Sequence, residues 1–257
     1  MDGIAAPDST GPARINGGKA HVFLTAEWRY LAMLNYELDP ALLAPYVPAG
    51  TELDRFDGRA FVSLVGFRFL STKILGIPIP FHRNFDEVNL RFYVRCCVDG
   101  VVKRGVVFIQ EIVPRRAIAV VARLAYNENY RCLPMSHQIS FEAGALRVEY
   151  AWRLGSIWNR LQVRAAGEPR AIPDGSAEQF IAEHYWGYSA QPRGRFCGVP
   201  RGSSTLASLG RYTRRVRGRC GGSLWSSVCE RAEQGAGLGF SSGGISGDGL
   251  SWKRIGR

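Results

Sequence analysis

The sequence lacks most of the residues and motifs on which common enzyme chemistry depends. It has only four lysines, all in predicted loop, turn or tail positions: Lys19, Lys73, Lys103 and Lys253. This placement argues against a lysine that forms an imine with a substrate. The dinucleotide motif GxGxxG, opening a helix after a strand, and the zinc motif HExxH are also missing. His82 and His184 are isolated, and structural or surface roles explain them better than catalysis.

The cysteines and the apolar residues exclude two further classes of protein. The six cysteines form no CxxC pair and have no histidine at metal-ligand spacing, so we predict neither a metal site nor a cofactor. Adjacent Cys96 and Cys97 point to opposite faces of a strand and are poor disulfide partners. No apolar run approaches the ~18 residues of a membrane span, and the first 20 residues lack a signal-peptide core. We expect reduced thiols, a cytoplasmic location and no membrane partner.

The charge is concentrated at one end of the chain. The net charge is +11, and residues 195–257 hold 11 basic and 3 acidic residues, so the main body is nearly balanced. The same tail contains 14 Gly and 10 Ser without sustained periodicity, and we expect it to be disordered or the product of a frameshift. Nucleic-acid binding through this basic tail is a less favoured alternative.

What the sequence does contain is β-structure. After a flexible arm over residues 1–20, we predict one domain over 21–194, of the α+β class and mostly antiparallel, incomplete at its C-terminal end if the tail is frameshifted. Strands are predicted at 31–37, 59–70, 85–98, 132–141, 145–154 and 157–165. Short helices are predicted at 41–46, after Pro114, and after the capping box Ser176–Gln179.

The strand from Phe85 to Val98 alternates apolar and polar residues, which is typical of a strand with one face in the core. Asp99-Gly100 predicts a two-residue hairpin turn. The resulting register pairs residues whose numbers add up to 199, and so sets Asn89 opposite Gln110. It also opposes Arg95 to Arg104, a like-charge pair that leaves a longer loop open as an alternative.

The polar face of this hairpin is the best candidate site. Glu87 and Arg91 lie about 13 Å apart along the strand, too far to pair directly, and are free to hold two ends of one small ligand or to pair across strands. An ordinary solvated face is the alternative. The charges of Arg29 and Arg123 could help to bind an anion, and apolar walls could come from four aromatic residues: Tyr126, Tyr130, Tyr185 and Trp186.

Four segments carry a family resemblance: RYLAMLNYELDPALLAPYVPAGTEL, FVSLVGFRF, FDEVNLRFYVR and PRRAIAVVARLAYNENY. They resemble the bacterial YqjF-like proteins of uncharacterised function, which are similar to the acetoacetate decarboxylase superfamily. The resemblance implies a cone-shaped β-barrel with flanking helices that holds a small organic acid. It places the family arginine on Arg29 and the family glutamate on Glu87. The paired lysines of the decarboxylases fall on Asn129 and Tyr130.

Because neither Asn129 nor Tyr130 can form an imine, decarboxylation through a protonated imine is excluded at these positions. The expected function is a barrel that binds a small organic acid or carbonyl compound, and whether it is an enzyme is left open. As an enzyme it would use Glu87 as acid or base and Arg29 as anion clamp, with Asn89, Arg91, Gln110, Arg123, Tyr126 and Tyr130 as further ligand-binding residues. A non-catalytic ligand-binding or interaction module is the alternative, and a homo-oligomer is left open.

Overall fold

In the computed structural model, which describes residues 24–120, 129–190, 196–200, 207–217 and 238–242, the chain forms two mostly antiparallel β-sheets. The strands are β1 (Leu24–Leu38), β2 (Glu52–Leu53), β3 (Ala60–Ile74), β4 (Ile77–Pro78), β5 (Phe85–Val98), β6 (Val101–Val113), β7 (Tyr130–Cys132), β8 (Met135–Glu142), β9 (Ala145–Leu154), β10 (Ile157–Ala171), β11 (Trp186–Ala190), β12 (Phe196–Pro200), β13 (Ala207–Arg217) and β14 (Leu238–Ser242). The helices are α1 (Pro40–Leu43), which continues as a 3-10 turn over Ala44–Tyr46, α2, described over residues 116–120, and α3 (Ala177–Ala182).

The large sheet has the strand order β12-β11-β6-β5-β3-β1-β14, with β2, β4 and β7 paired at its margins, and the small sheet has the order β13-β10-β9-β8. The predicted mostly antiparallel fold with few helices is confirmed, but the closed barrel is not formed among the described strands. The chain crosses between sheets at Leu133-Pro134, between β7 and β8. The crossing is hydrogen-bonded to both sheets, because the N–H of Leu133 donates to the carbonyl of Val113 at 3.1 Å and the carbonyl of Pro134 accepts from the N–H of Arg153 at 2.9 Å.

The core is divided by the large sheet into two layers. One layer, between the two sheets, contains the even-numbered residues of β5 together with Tyr150, Trp152 and Leu161 of the small sheet. The other layer packs the opposite face of the large sheet, which carries the odd-numbered residues of β5, against Ala119 of α2 and against Phe180 and Ile181 of α3. The strict alternation of the sequence therefore directs the polar face of β5 into a second buried layer and not into water.

The β5–β6 hairpin turns at Asp99 and Gly100, which both have positive φ, as a two-residue primed turn requires. The predicted register holds from Val98↔Val101 to Arg91↔Phe108, including the pair of Arg95 with Arg104. Beyond that point a β-bulge shifts the pairing by one residue. The prediction that Asn89 faces Gln110 is wrong for this reason, because a bulge inserts one extra residue into one strand.

Three strands lie in the tail that the sequence left without regular structure. β12 pairs with β11, β13 with β10, and β14 with β1, all antiparallel. Edge strands offer unpaired N–H and C=O groups that a segment without amphipathic periodicity can still pair with. The expectation that the tail is disordered or frameshifted stays a prediction.

Candidate functional site

Polar side chains occupy the middle of one face of the large sheet, the face that carries the odd-numbered residues of β5 and lies beneath α2 and α3. We call these residues the polar face: Asn35, Ser63, Glu87, Asn89, Arg91, Tyr93, Glu111 and Tyr130. All except Arg91, which is half-buried, are buried. A buried sheet face normally carries apolar residues, since each buried polar group must find a partner. Such a concentration of buried polar groups on one face identifies the candidate site.

Glu87 is the centre of the hydrogen bonds at one end of the polar face. Its Oε1 accepts a hydrogen bond from Nδ2 of Asn89 at 3.0 Å, and its Oε2 accepts one from the Tyr130 hydroxyl at 3.1 Å. The side chain of Glu87 is 3% exposed. A carboxylate held by two donors away from water has a fixed orientation, which is what a general acid or base requires.

The bulge in β6 decides which residue joins Glu87. With the shifted register, Glu111 lies opposite Asn89 and is fully buried, whereas Gln110 is turned away and donates to the backbone carbonyl of Asn129 at 2.6 Å. Two carboxylates thus occupy diagonal positions on adjacent strands, roughly 7–8 Å apart between Cα atoms. The sequence assigned Glu111 to the opposite face, and only the unpredicted bulge moves it here.

Arg91 lies at the other end of the polar face, opposite Ser63 of β3. Its Nη2 is 4.0 Å from the Sδ of Met33, and its Nε is buried without a hydrogen-bond partner in the part of the chain that the structure describes. The same holds for Nδ2 of Asn35, which is paired with Ser63 in the strand ladder. Two buried donors at one end of the face therefore lack acceptors.

Arg29 does not join Glu87. It is paired with Arg68, whose neighbour across β5 is Asp86, so its backbone position belongs to the face opposite Glu87. A β-bulge lies between Arg29 and Ala32, and Tyr30 within it has positive φ. Only the part of β1 after this bulge follows the register that pairs Asn35 with Ser63 on the polar face. Arg29 is 40% exposed in its side chain and forms an ion pair with Glu27 at 3.1 Å.

Of the two residues that the resemblance matches to the paired lysines, Tyr130 contacts Glu87 and Asn129 contacts the backbone of β6. Asn129 immediately precedes β7, and its Nδ2 donates to the carbonyl of Ile109 at 2.7 Å. Tyr130 is opposite Glu111 in the parallel β6–β7 pair and directs its hydroxyl at Glu87. Arg123 and Tyr126 lie outside the described residues. Trp186 packs in the layer between the sheets, and Tyr185 is exposed, so neither contributes to the polar face.

A second buried cluster, which sequence reasoning missed, adjoins the polar face beneath α3. Oδ2 of Asp54 is 2.9 Å from Nε of Arg104 and 3.1 Å from Nε2 of His184, and Nδ1 of His184 is 2.6 Å from the carbonyl oxygen of Phe180. The imidazole also packs on the Tyr93 ring at a centroid distance of 4.7 Å. Because His184 and Asp54 are 130 positions apart, no local motif could have linked them.

Burial and charge oppose each other in this cluster. Burial alone would raise the pKa of Asp54, but the hydrogen bond and charge of His184 and the charge of Arg104 outweigh it and lower the pKa of the carboxyl. Burial lowers the pKa of His184, against the opposing effect of the Asp54 carboxylate. The cluster fixes the end of α3 to β6 and so helps to hold the cover over the polar face.

Some classes of site are not found in the described ranges. No group of three or more His, Cys, Asp or Glu side chains is placed there to hold a metal ion. Cys96, Cys97 and Cys132 are free thiols. No helix of the described part of the chain has the length and apolar character needed to cross a membrane.

Comparison with known proteins places this geometry in context. A family model, DUF2071, described as an uncharacterized conserved protein, matches residues 25–200. The uncharacterized protein YqjF of Bacillus subtilis is 34% identical over 68 residues, which cover 26% of this chain and 28% of YqjF. The matching segment thus spans little more than a quarter of that relative.

Solved structures share the fold at low sequence identity. An acetoacetate decarboxylase-like enzyme from Sphingomonas wittichii matches 91% of this chain and 93% of its own with a TM-score of 0.62 and 12% identity. Acetoacetate decarboxylase from Legionella pneumophila matches 97% and 93% with a TM-score of 0.60 and 14% identity. The enduracididine biosynthesis enzyme MppR, complexed with the condensation product of pyruvate and imidazole 4-carboxaldehyde, matches 95% and 99% with a TM-score of 0.53 and 14% identity.

Proposed function

The chain belongs to the DUF2071 family, and we propose that its polar face binds a small organic acid, with Arg91 as the group that holds the carboxylate. The observation that carries this proposal is the pair of buried donors, on Arg91 and Asn35, that have no acceptor within the described residues. A buried N–H donor without an acceptor destabilises the protein, and a bound carboxylate would supply that acceptor.

The other end of the polar face suits a hydroxyl group of the same ligand, because the groups at this end accept hydrogen bonds. Glu87 and Asn89 lie there, and Oδ1 of Asn89 is a buried acceptor without a partner among the described residues. Donors at one end and acceptors at the other fit a small molecule that carries a carboxylate and a second polar group. The fold shared with MppR, which has been seen with a pyruvate condensation product, supports the same ligand class.

The lysine positions decide which chemistry is excluded. Tyr130 supplies a hydroxyl where an imine mechanism needs an amine, and of the two lysines that the structure describes, Lys73 is exposed and Lys103 packs over the Trp186 ring at 4.7 Å. Imine formation therefore has no amine on the polar face among the described residues. The proposed function differs in this way from acetoacetate decarboxylation.

Binding is tested by titrating the protein with pyruvate and other small carboxylates, with isothermal titration calorimetry and thermal shift as readouts. We expect Arg91→Met to abolish the binding that the wild type shows. Arg95→Met is the matched control, because Arg95 lies on the same strand with the same parity but is exposed and paired with Glu52 at 2.8 Å. A panel in which no carboxylate binds, or in which the two variants behave alike, would overturn the proposal.

A second candidate function is proton abstraction next to the carbonyl of such an acid, with Glu87 as the base. The fixed orientation of this buried carboxylate favours it. The test is exchange of the methyl protons of pyruvate for deuterium in D₂O, followed by NMR. We expect exchange with the wild type and none above background with Glu87→Gln. Binding without exchange would assign the protein to the non-catalytic ligand-binding class instead.

A further inference from the structure

The small sheet turns one face to the core and the other to solvent, and the solvent face is strongly basic. Between residues 145 and 166 the chain has one acidic residue, Glu149, and four arginines, all of them on this face: Arg147, Arg153, Arg160 and Arg164. Arg153, Arg160 and Arg164 are exposed. Glu149 is shared between Arg147 at 3.5 Å and Arg160 at 3.6 Å, so it neutralises only part of the charge.

The register places further arginine positions next to β10. On β13, Arg217 is the backbone partner of Arg160, and Arg215 is the partner of Gln162. On the other side, Gln138 of β8 is the partner of Glu149 and is exposed. The arginine positions therefore span three adjacent strands, and β8 beside them has Ser136, Gln138 and Ser140 on this face, with the acidic Glu142 at its end.

One aromatic side chain lies on the same face. Trp158 is 42% exposed, and the guanidinium of Arg153 lies 5.8 Å from its ring centroid. An exposed tryptophan beside arginines can stack on a nucleic-acid base while the arginines bind phosphates in bidentate fashion.

We propose that this basic face of the small sheet binds single-stranded nucleic acid. A flat sheet face with interspersed arginine, glutamine and tryptophan matches unstacked bases and a continuous phosphate backbone. A duplex fits less well, because its base edges are read in grooves that admit a helix or a two-stranded ribbon. An anionic lipid surface also fits less well, since Trp158 is the only large apolar side chain that β9 and β10 expose in the middle of this face.

The test uses the full chain and fluorescein-labelled 15-nucleotide oligo(dT) and oligo(U), with anisotropy measured over a series of salt concentrations. The double variant Arg160→Gln/Arg164→Gln should weaken binding at least tenfold and reduce the slope of log affinity against log salt by about 1.4, at about 0.7 per phosphate contact. Trp158→Ala should weaken binding about tenfold with no change in this slope.

The matched control is Arg115→Gln/Arg116→Gln, which removes the same charge from two exposed residues at the start of α2. Equal losses in the two double variants would show attraction by net charge alone and overturn the proposal. Tighter binding to a duplex of the same length, or stronger dependence on Arg160 and Arg164 for phosphatidylglycerol vesicles than for oligonucleotides, would also overturn it. Thermal melts of each variant confirm that the fold is intact.

Discussion

Gly66 should be the most sensitive position in the packing of the two sheets. It lies on β3 and faces the small sheet, and a Cβ at this position would lie 2.5 Å from Cδ2 of Tyr150 and 3.0 Å from Cδ2 of Leu161. A glycine inside a strand marks either a bulge or a close approach of another group, and at Gly66 the structure shows the close approach. We expect Gly66→Ala to destabilise the protein because the added methyl group overlaps the Tyr150 ring.

The magnitude depends on whether Tyr150 can move. Its side chain is fully buried, and its hydroxyl donates to the carbonyl of Tyr30 at 2.7 Å, so the ring cannot turn away without breaking this hydrogen bond. Overpacking costs about 1–3 kcal/mol and the hydrogen bond about 1 kcal/mol, while alanine reduces the entropy of the unfolded chain by about 0.4–1 kcal/mol. The expected loss is about 1–3.5 kcal/mol, or roughly 2–14 °C in Tm for a chain of this size.

Urea unfolding followed by circular dichroism measures this loss, and a double-mutant cycle with Tyr150→Ala assigns its cause. In the Tyr150→Ala background the added methyl has space, so most of the cost of Gly66→Ala should disappear. Gly58→Ala is the control for backbone strain, since Gly58 has φ +78° and nothing within 4 Å of its Cβ position. A change below about 0.5 kcal/mol for Gly66→Ala, which is the scatter of surface substitutions, would refute the packing argument. Full additivity with Tyr150→Ala would refute it as well.

Three further outcomes are expected. Gly105→Ala should lower Tm more than Gly66→Ala does, because its Cβ would lie 2.5 Å from the backbone oxygen of Trp186, which cannot rotate away, and differential scanning calorimetry would measure this. Asp54→Asn should lower the free energy of unfolding by about 3 kcal/mol at pH 7. Because the folded-state pKa of Asp54 lies below 3.8, the stabilisation by its carboxylate should be fully present above about pH 4 and be lost as the pH falls further. Urea titrations at several pH values measure this, and a difference that is constant at all pH values would contradict it. Tyr130→Phe should lower the free energy of unfolding by about 1–3 kcal/mol through loss of its hydrogen bond to Glu87, with Tm as the readout and an unchanged Tm as the contrary result.

The local structure of the main body could be predicted because its signals are local. The turn at Asp99-Gly100 and the alternation of β5 depend on residues that are neighbours in sequence. Likewise Ser176 caps α3 by accepting a hydrogen bond from the backbone N–H of Gln179 at 3.1 Å, as the capping box predicts. The resemblance, confirmed by the family match, named Glu87 and Tyr130 as candidate site residues, and their hydrogen bond joins residues 43 positions apart.

The remaining features depend on contacts that local patterns do not encode. The bulge in β6 has no glycine to mark it, so the register alone could not place Glu111 on the polar face. The bulge after Arg29 likewise separates that residue from Glu87. A one-residue shift moves every later side chain to the other face of a sheet, which makes bulges the largest source of error in assigning a site from alternation.

The positions of the charged groups in the main body also could not be predicted from its composition. The main body is nearly balanced in sequence, yet several of its carboxylates are buried: Asp54, Asp86, Glu87 and Glu111. These carboxylates lie among groups inside the fold, whereas arginines such as Arg160 and Arg164 are exposed to solvent. The field above the small sheet is therefore more positive than the net charge of the main body indicates. The polar face and the basic face are thus related consequences of one arrangement, in which the fold buries acids on the large sheet and leaves bases exposed on the small one.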